Sequence, residues 1–526
     1  MRSVWAPWGG NVLRLVILGS DTFAEPLRGL GHEVLTCGPN GDLVAADADL
    51  EWTLLERLLQ KKGFAPDALL MTDNVGSRQL PTGLYNSPLI TAFYGVDSPL
   101  NRFWQEPYAQ LFDLAFLDQA EEAARLAKLH SGTHWLPVGI DPSLYEVKPC
   151  SSEIPGVCFV GVVDEAVRPK RSALLAKLSK HSQLVVRGGR KQAWFSTQEA
   201  AKLYASQQVT LNENLFPGVT TRPLEVMASG GCLFTEAAPG SMDRFFQDQV
   251  HLSYFGPDDV GEKLEQLLKD SRFRAKLRRQ GRDIVLENHT LTKRAQVMVD
   301  HIEELLSGAK TRNRSTGGEA LRLEGEVLLM AGLRWPDKAG KRRVLRGAAR
   351  LRAAAADGAE PLGAARAAGL AELSLGRNKE ALNHLRRAGD LGGPGDKLAW
   401  ALAALESGNT REYFQIVQSI GINSRPGDYA FHLEAARLLE GERLQVSLGF
   451  NRRTLHPAFW TSLEHLVEAT RREPKRFLAW ERLGDLLISQ GAPNQAAQAY
   501  DRAWELVQGD DLAAKRHEAA HRGYIQ

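Results

Sequence analysis

Short apolar runs alternate with helical patterns along the first part of the chain, and this alternation begins a second time near residue 150. RLVILGS (14–20) starts the first series and GVCFVG (156–161) starts the second. Strands that alternate with helices predict βαβ units and a mostly parallel sheet in each series. Because the strands are apolar throughout, we expect helices to cover both faces of each sheet.

The composition changes near residue 310, where the strand patterns stop and Ala, Leu, Arg and Glu recur at helical spacing. The fold class that we predict is α/β, with two Rossmann-like domains followed by an all-α helical repeat domain. The predicted boundaries are 1–148 for the first domain, 149–308 for the second, 309–317 for a polar linker and 318–526 for the helical domain.

The segment 476–507 carries the strongest internal pattern of the helical domain. It fits tetratricopeptide spacing, in which small residues let two helices approach and large residues fill the space between them. The residues that fit are Trp480, Leu483, Gly484, Gly491, Ala496, Tyr500 and Ala503. A further unit fits at Gly369, Gly376, Ala381, Leu385 and Ala388. We predict tetratricopeptide-like repeats, and a nonrepetitive Ala-rich helical bundle is the alternative.

Charge and cysteine content exclude several classes of protein. Lys and Arg number 65 and Asp and Glu number 63, which gives a formal net charge of +2 at pH 7 and argues against a nucleic-acid binder. No apolar run approaches the ~20 residues that a membrane-spanning helix needs, so we expect no transmembrane segment. The four cysteines form no CxxC pair, which argues against a disulfide framework and structural zinc. We therefore expect a cytoplasmic protein.

The stretch 211–246 contains the residues best suited to hold a nucleoside diphosphate. The turn Gly218–Thr221 is predicted to open a helix, and backbone N–H groups at a helix N-terminus hold phosphate oxygens. Arg222 adds a forked cation for the diphosphate. Glu225 lies one turn further and can accept hydrogen bonds from both ribose hydroxyls. The alternative for Glu225 is a charge at a helix start that the helix dipole favours.

Basic residues after two other predicted strands are further candidates for the diphosphate. Arg168, Lys170 and Arg171 follow the strand at 156–161, although a solvated helix start would explain them equally well. Arg187 ends the strand at 183–189, where an ordinary strand-end turn is the alternative.

These motifs resemble the second domain of GT-B glycosyltransferases, and most closely the CgeB-like members. The resemblance lies in Asn212 at a strand end, the Gly218–Thr221 turn with Thr220, the R-x-x-E-x-x-A-x-G pattern at 222–230 and a strand that ends in Thr235. WLPVGIDPSLY (135–145) resembles the interdomain connection, and ENHTLTKRAQVMVDHI (287–302) resembles the closing helix of the family. The resemblance covers about residues 10–308 and implies that Glu225 binds the ribose of a nucleotide-sugar donor.

The chain departs from many GT-B enzymes at Pro217, where those enzymes carry a second Glu. Glu213 and Asn214 lie nearby but out of phase. The resemblance therefore does not imply that a carboxylate at 217 recognises the donor sugar.

The first domain is expected to hold the acceptor. Asp97, in YGVDSPL (94–100), resembles the Asp-x-Pro turn of CgeB-like proteins and could accept the proton of an acceptor hydroxyl. The alternative is that Asp97 caps its own turn before Pro99. Asp73 is the second candidate for this base. No metal is expected, because the helix dipole and cations carry the charge of the leaving diphosphate in most GT-B enzymes.

We therefore expect a glycosyltransferase that uses a nucleotide sugar, such as a UDP-, GDP- or CMP-sugar, as its substrate and needs no cofactor. Because helical repeats bind peptides in concave grooves, the acceptor is expected to be a protein, such as a surface or appendage protein. Glycolipid and polysaccharide acceptors remain alternatives. The alternative from another functional class is a noncatalytic scaffold with a degenerate GT-B unit.

Overall fold

The computed structural model describes residues 12–45, 49–73, 79–147, 153–163, 168–180, 182–188, 195–214, 218–237, 240–256, 258–357, 361–440, 452–490 and 492–525. The chain divides into two compact units. The α/β unit comprises Met1–Ser98 and Asp113–Asn313, and the helical unit comprises Pro99–Phe112 and Arg314–Gln526. The division after Asn313 lies within the predicted linker.

The first sheet of the α/β unit has seven parallel strands in the order β3-β2-β1-β4-β5-β6-β7. The strands are β1 (Arg14–Gly19), β2 (Glu33–Gly38), β3 (Leu43–Val44), β4 (Ala68–Thr72), β5 (Ile90–Gly95), β6 (Leu114–Leu117) and β7 (Thr133–Trp135). Every residue of β4, β5 and β6 is buried, as expected for central strands that helices cover on both faces.

Four helices connect the strands of the first sheet: α1 (Ala24–Gly29), α2 (Trp52–Lys62), α3 (Ser98–Ala109) and α4 (Ala120–Leu126). Most of α3 groups with the helical unit, where the ring of Phe103 lies 6.4 Å from that of Trp335. The N–H of Ser315 also donates to the carbonyl of Gln110, just after α3, at 2.9 Å.

The second sheet has five parallel strands in the order β12-β11-β10-β8-β9. The strands are β8 (Ile154–Val160), β9 (Leu184–Arg187), β10 (Gln207–Asn212), β11 (Leu233–Glu236) and β12 (Ser253–Phe255). Strand order reverses between β8 and β10, and ligands of open α/β sheets bind outside the carboxyl ends of the strands at such a reversal. The two parallel sheets confirm the predicted α/β fold class.

Six helices belong to this second half: α5 (Pro169–Leu178), α6 (Thr197–Ser206), α7 (Thr221–Ala228), α8 (Val260–Lys269), α9 (Ser271–Asn288) and α10 (Leu291–Leu306). The last of them crosses back to the first sheet, where its apolar face joins the core of the first domain through Ala295, Met298, Val299, Ile302 and Leu305. The two α/β halves therefore share one packed core element.

The apolar run THWLPVGI (133–140) predicts a strand in the connection between the two sheets, but the structure has a strand only over Thr133–Trp135. Beyond Leu136 the chain bonds to the α9–α10 junction and to α10 instead. The N–H of Ile140 donates to the carbonyl of His289 at 3.1 Å, and Arg294 Nε donates to the carbonyl of Pro137 at 2.7 Å. Pro137 also lacks the N–H that a strand ladder requires.

The helical unit contains eleven α-helices after residue 314, and no strand occurs among its described residues. They are α11 (Gly317–Arg334), α12 (Lys338–Ala356), α13 (Pro361–Ser374), α14 (Asn378–Leu391), α15 (Pro394–Glu406), α16 (Thr410–Ser419), α17 (Tyr429–Leu438), α18 (Ser462–Arg472), α19 (Phe477–Ser489), α20 (Pro493–Leu506) and α21 (Asp510–Ile525). The prediction that this region is all-α is confirmed.

Glycines bring the helices of two pairs into close contact. A Cβ at Gly484 of α19 would lie 2.4 Å from the Tyr500 ring of α20, and a Cβ at Gly369 of α13 would lie 2.4 Å from Leu385 of α14. The glycine precedes its partner by the same number of residues in both pairs. The tetratricopeptide assignment itself stays a prediction, and Gly491 lies outside the described residues.

None of the helices in the described part of the chain combines the length and the apolarity that crossing a bilayer requires.

Candidate active site

The start of α7 lies at the carboxyl edge of the second sheet, next to the end of β10 at Asn212. Thr220 is the residue before the helix, and Gly218 is buried in the turn that leads to it. Because the first N–H groups of a helix lack intrahelical acceptors, this end of α7 can bind an anion. The predicted turn and helix therefore stand where a phosphate could reach them.

Arg222 is held at this edge by contacts with three elements. Its Nη1 donates to Oδ1 of Asn212 at 3.2 Å, and its guanidinium lies 5.2 Å from the centroid of the Phe159 ring. Tyr204 of α6 is the third neighbour, and it interacts electrostatically with the guanidinium. Burial lowers the pKa of the guanidinium, opposed first by the nearby Tyr204. These contacts fix the Arg222 side chain at the carboxyl edge of the second sheet.

A glycine makes room for this arginine. Gly161, directly after β8, has φ of 152°, and a Cβ there would lie 2.9 Å from Nη2 of Arg222. Any larger residue at 161 would therefore have to displace the guanidinium.

Glu225 follows Arg222 by one helical turn and is half-buried. The side chains of Thr221 and Tyr145 lie close enough to its carboxylate to favour the charged form. Burial raises the pKa of Glu225, and the charge of Arg222 is the largest opposing influence. Glu225 and Arg222, which are predicted to bind the same nucleotide, therefore lie close enough to interact electrostatically.

Two of the predicted phosphate-binding cations already have carboxylate partners. Arg171 donates through Nε and Nη2 to Oε2 of Glu213, both at 2.8 Å, in a pair that is buried on both sides. Lys170 Nζ lies 2.6 Å from Oε1 of Glu236, at the end of β11. Sequence reasoning missed these pairings, because it gave neither Glu213 nor Glu236 a partner.

Arg168, just before α5, differs from its two neighbours. No described residue accepts a hydrogen bond from its buried Nη1. Burial lowers the pKa of its guanidinium, and the positive charges of Arg171 and Arg222 act in the same direction. An anion at this position would meet three guanidinium groups.

Arg187 lies at the end of β9 with its side chain exposed. Its Nη1 donates to the carbonyl of Val186 at 3.2 Å, and its own carbonyl accepts from the N–H of Gly161 at 2.8 Å. The backbone of Arg187 thus lies beside the glycine that faces Arg222.

Asp97 and Asp73 lie at the carboxyl edge of the first sheet, after β5 and β4. The N–H of Asp97 donates to Oδ2 of Asp118 at 2.8 Å, and that of Asp73 donates to the carbonyl of Tyr94 at 2.8 Å. Asp97 has φ of 50°, which is uncommon for a residue other than glycine. Burial raises the pKa of Asp97 and the charge of Arg168 lowers it, so the edges of the two sheets face each other here.

A residue that sequence reasoning missed joins these edges. Gln119, after β6, donates through Nε2 to the carbonyl of Val219 at 3.0 Å and accepts from the N–H of Val219 at 3.1 Å. Val219 immediately precedes Thr220 at the start of α7. The one available signal was the position of Gln119 just after a predicted strand, at the edge where the candidate site was expected.

Known proteins resemble parts of this chain. A family model described as "Glycosyl transferase-like" matches residues 168–300. No curated protein matches the chain significantly. The chain therefore contains a glycosyl transferase-like region, which includes α7 and the predicted phosphate-binding residues.

Several solved structures are similar to the chain at low identity. Sucrose-phosphate synthase from Thermosynechococcus elongatus is 13% identical, with 56% of this chain and 100% of that chain covered and a TM-score of 0.42. HepE of Anabaena in complex with UDP and glucose is 11% identical, with 56% and 100% covered and a TM-score of 0.39. A glycosyltransferase from Rickettsia africae ESF-5 is 9% identical, with 56% and 99% covered and a TM-score of 0.39.

Proposed function

We propose that this protein is a glycosyltransferase that moves a sugar from a nucleotide-sugar donor to an acceptor. The observation that carries the proposal is the placement of Arg222 and Glu225 on α7, at the strand-order reversal of the second sheet. That position is where open α/β sheets bind ligands, and it lies within the glycosyl transferase-like region.

The donor's diphosphate would lie against the start of α7. Phosphate oxygens would accept from backbone N–H groups around Thr220 and Thr221, and Arg222 would add a charge-assisted contact. Arg168 is the best-placed further cation, because its Nη1 has no acceptor among the described residues. Lys170 and Arg171 would contribute through the positive field of the edge, since Glu236 and Glu213 already accept from them.

Glu225 would accept hydrogen bonds from the ribose hydroxyls. Thr221 and Tyr145 lie beside the carboxylate, which as an ionised group has several lone pairs for a ligand. In the transfer step the bond from the anomeric carbon to the diphosphate breaks and a bond to the acceptor oxygen forms. The helix dipole and Arg222 would stabilise the charge of the leaving diphosphate without a metal.

Asp97 would take the proton of the acceptor hydroxyl, with Asp73 as the second candidate. A carboxyl with a raised pKa is a better base than an ordinary one, and burial shifts the pKa of Asp97 in that direction. Its position opposite Arg168 would place the acceptor near the donor's phosphates.

Finer assignments belong to the same proposal. The motif at 222–230 supports a CgeB-like enzyme. The glycine contacts of α13 with α14 and of α19 with α20 support tetratricopeptide-like repeats, which would recognise a protein acceptor in the cytoplasm.

The test is a binding panel of UDP, GDP and CMP, and their sugars, measured by thermal unfolding. We expect one nucleotide at 100 times its Kd to stabilise the protein by about 2.7 kcal/mol. Glu225→Ala should abolish this gain, whereas Glu265→Ala on the exposed face of α8 should retain it. If no nucleotide stabilises the wild-type protein, or if Glu225→Ala binds as well, the proposal fails and the noncatalytic scaffold becomes the better interpretation.

A further inference from the structure

Asp118 and Gln119 form a buried polar pair directly after β6, and each is less than a twentieth exposed. Oδ2 of Asp118 accepts from the N–H of Asp97 at 2.8 Å and from Nε2 of Gln119 at 2.9 Å. Oδ1 accepts from the N–H of Ser98 at 3.1 Å and from the Ser98 hydroxyl. One carboxylate thus fixes Asp97, in the turn after β5, and Ser98, the first residue of α3.

Gln119 extends this arrangement to the second domain. Its carboxamide pairs with both polar groups of Val219, a residue 100 positions further along the chain. Two antiparallel hydrogen bonds to one residue set the orientation of its peptide groups as well as their distance. Since Nε2 also donates to Asp118, every polar group of the carboxamide is in use, as burial requires.

We propose that Asp118 and Gln119 are positioning residues, which fix the Asp97 turn of the acceptor side relative to the start of α7 on the donor side. The inference rests on the proposed function, because it gives a purpose to the distance between these two segments. Rates of group transfer fall steeply when reacting groups move by about 1 Å, so a fixed distance here has catalytic value.

The hydrogen bonds favour this role over simple adhesion between domains. Apolar packing would hold two surfaces together, but it would leave rotation of the Val219 peptide unspecified. Val219 itself is buried and already supplies apolar contact. The carboxamide adds direction, and it connects through Asp118 to the candidate base.

Gln119→Ala tests the inference, with Gln266→Ala on α8 as the matched control. The side chain of Gln266 donates to the exposed Glu262 of the same helix. We expect Gln119→Ala to lower kcat by about 30-fold, within the range of small misplacements. The donor KM and the Kd of the free nucleotide should change less than threefold, because Arg222 and Glu225 remain. Gln266→Ala should match the wild type in all three.

Gln119→Glu adds a second measurement, the pH dependence of kcat, which a purely structural role of Gln119 would leave unchanged. Near pH 8 the introduced carboxylate would face two acceptors, the Val219 carbonyl and Asp118, and kcat should be low. Protonation restores a donor, so kcat relative to wild type should rise as the pH falls towards about 6. Among the described residues, the other titratable or charged groups near this point include Asp97 and Tyr94, which interact with Asp118. Arg168 interacts with Asp97, and Arg294 interacts with Tyr94.

Three results would overturn the inference. The first is an unchanged kcat in Gln119→Ala while the wild type is active. The second is a loss confined to KM and nucleotide Kd, and the third is a pH profile of Gln119→Glu parallel to that of the wild type. If Gln119→Ala does not fold, the Gln119→Glu profile decides alone. A wild-type protein that binds nucleotide yet transfers no sugar would instead overturn the proposed function, and this inference with it.

Discussion

Buried carboxylates pair with basic side chains in both units of the molecule, but their arrangement differs. In the α/β unit, Glu213 pairs with Arg171 and Glu236 pairs with Lys170, at the ends of neighbouring strands. Because parallel strands end at one edge, these pairs gather beside the start of α7. The charges of this region therefore converge on one crevice.

In the helical unit, the corresponding pairs join different helices. Glu372 of α13 pairs with Arg352 of α12 and with Arg377, just before α14. Asp396 of α15 pairs with Arg366 of α13. The carboxylates are buried and the arginines are about half exposed, so these pairs fix contacts between helices.

The difference teaches that a buried ion pair does not by itself mark a site. The chemistry is the same in both units, whereas topology decides whether the charges meet. A substitution at the sheet edge should therefore change ligand binding or kcat. A substitution between helices should change only the free energy of unfolding.

The largest expected effect is that of Asp97→Asn at the sheet edge. We expect kcat to fall by about 10²–10⁴ because the base is lost. The free energy of unfolding should change by less than about 1 kcal/mol, because Asn has the same shape and tolerates a positive φ. Steady-state kinetics and urea unfolding give the two numbers, with Asp300→Asn on the surface of α10 as the control. A kcat within threefold of the wild type would favour the turn-capping alternative for Asp97.

The next effect compares ion pairs in the two units. Arg171→Met leaves Glu213 buried without its partner and should lower the free energy of unfolding by about 3 kcal/mol. Arg352→Met should cost about 1 kcal/mol, because Arg377 still pairs with Glu372 and the Arg352 side chain is 43% exposed. Urea titrations monitored by circular dichroism would measure both.

The double variant Arg171→Met/Glu213→Leu sharpens the comparison, since replacing both charges should recover most of the loss. Equal costs for the two single variants would contradict the distinction between the units.

The smallest effect is an acid dependence in the helical unit. His432 and His465 are buried with their Nδ1 atoms 3.0 Å apart, and burial lowers their pKa values to about 4 and about 3. The unfolded state binds these protons near pH 6.5, so their contribution is complete above that pH and is lost as the pH falls. Between pH 7.5 and 5.5 the free energy of unfolding should fall by about 2.7 kcal/mol, about half from each histidine.

Urea unfolding at the two pH values would measure this change, and His465→Phe should reduce it by about half. A fall of the same size in the double variant His432→Phe/His465→Phe would assign the acid dependence to other groups.

Much of the fold could be predicted because its signals are local. The runs that became β1, β4 and β5 are short and apolar, and each ends at a turn. The strand predicted over 133–140 was too long, because the bonds of Ile140 go to a segment 149 residues away that no local pattern reveals. The grouping of α3 with the helical unit depends on tertiary contacts in the same way.

In the candidate site, too, local spacing could be predicted from the sequence and contacts between distant elements could not. Arg222 and Glu225 share one helix, so their spacing alone placed them together. The partners Glu213 and Glu236 could not be assigned, since each pairs with a residue on another element. Gln119 carried no motif, and its role depends on Val219, far along the chain.

Helix α10 follows the second sheet in the sequence but packs in the core of the first sheet. The end of the second half in the sequence is therefore not the end of a unit that can fold alone. The glycosyl transferase-like match ends at residue 300, in the middle of this helix. A protein truncated there would lose Ile302 and Leu305 and so uncover apolar surface of the first half, although the missing residues follow the second. Neither half of the α/β unit is expected to fold independently, and expression of the second half alone should yield aggregation-prone material.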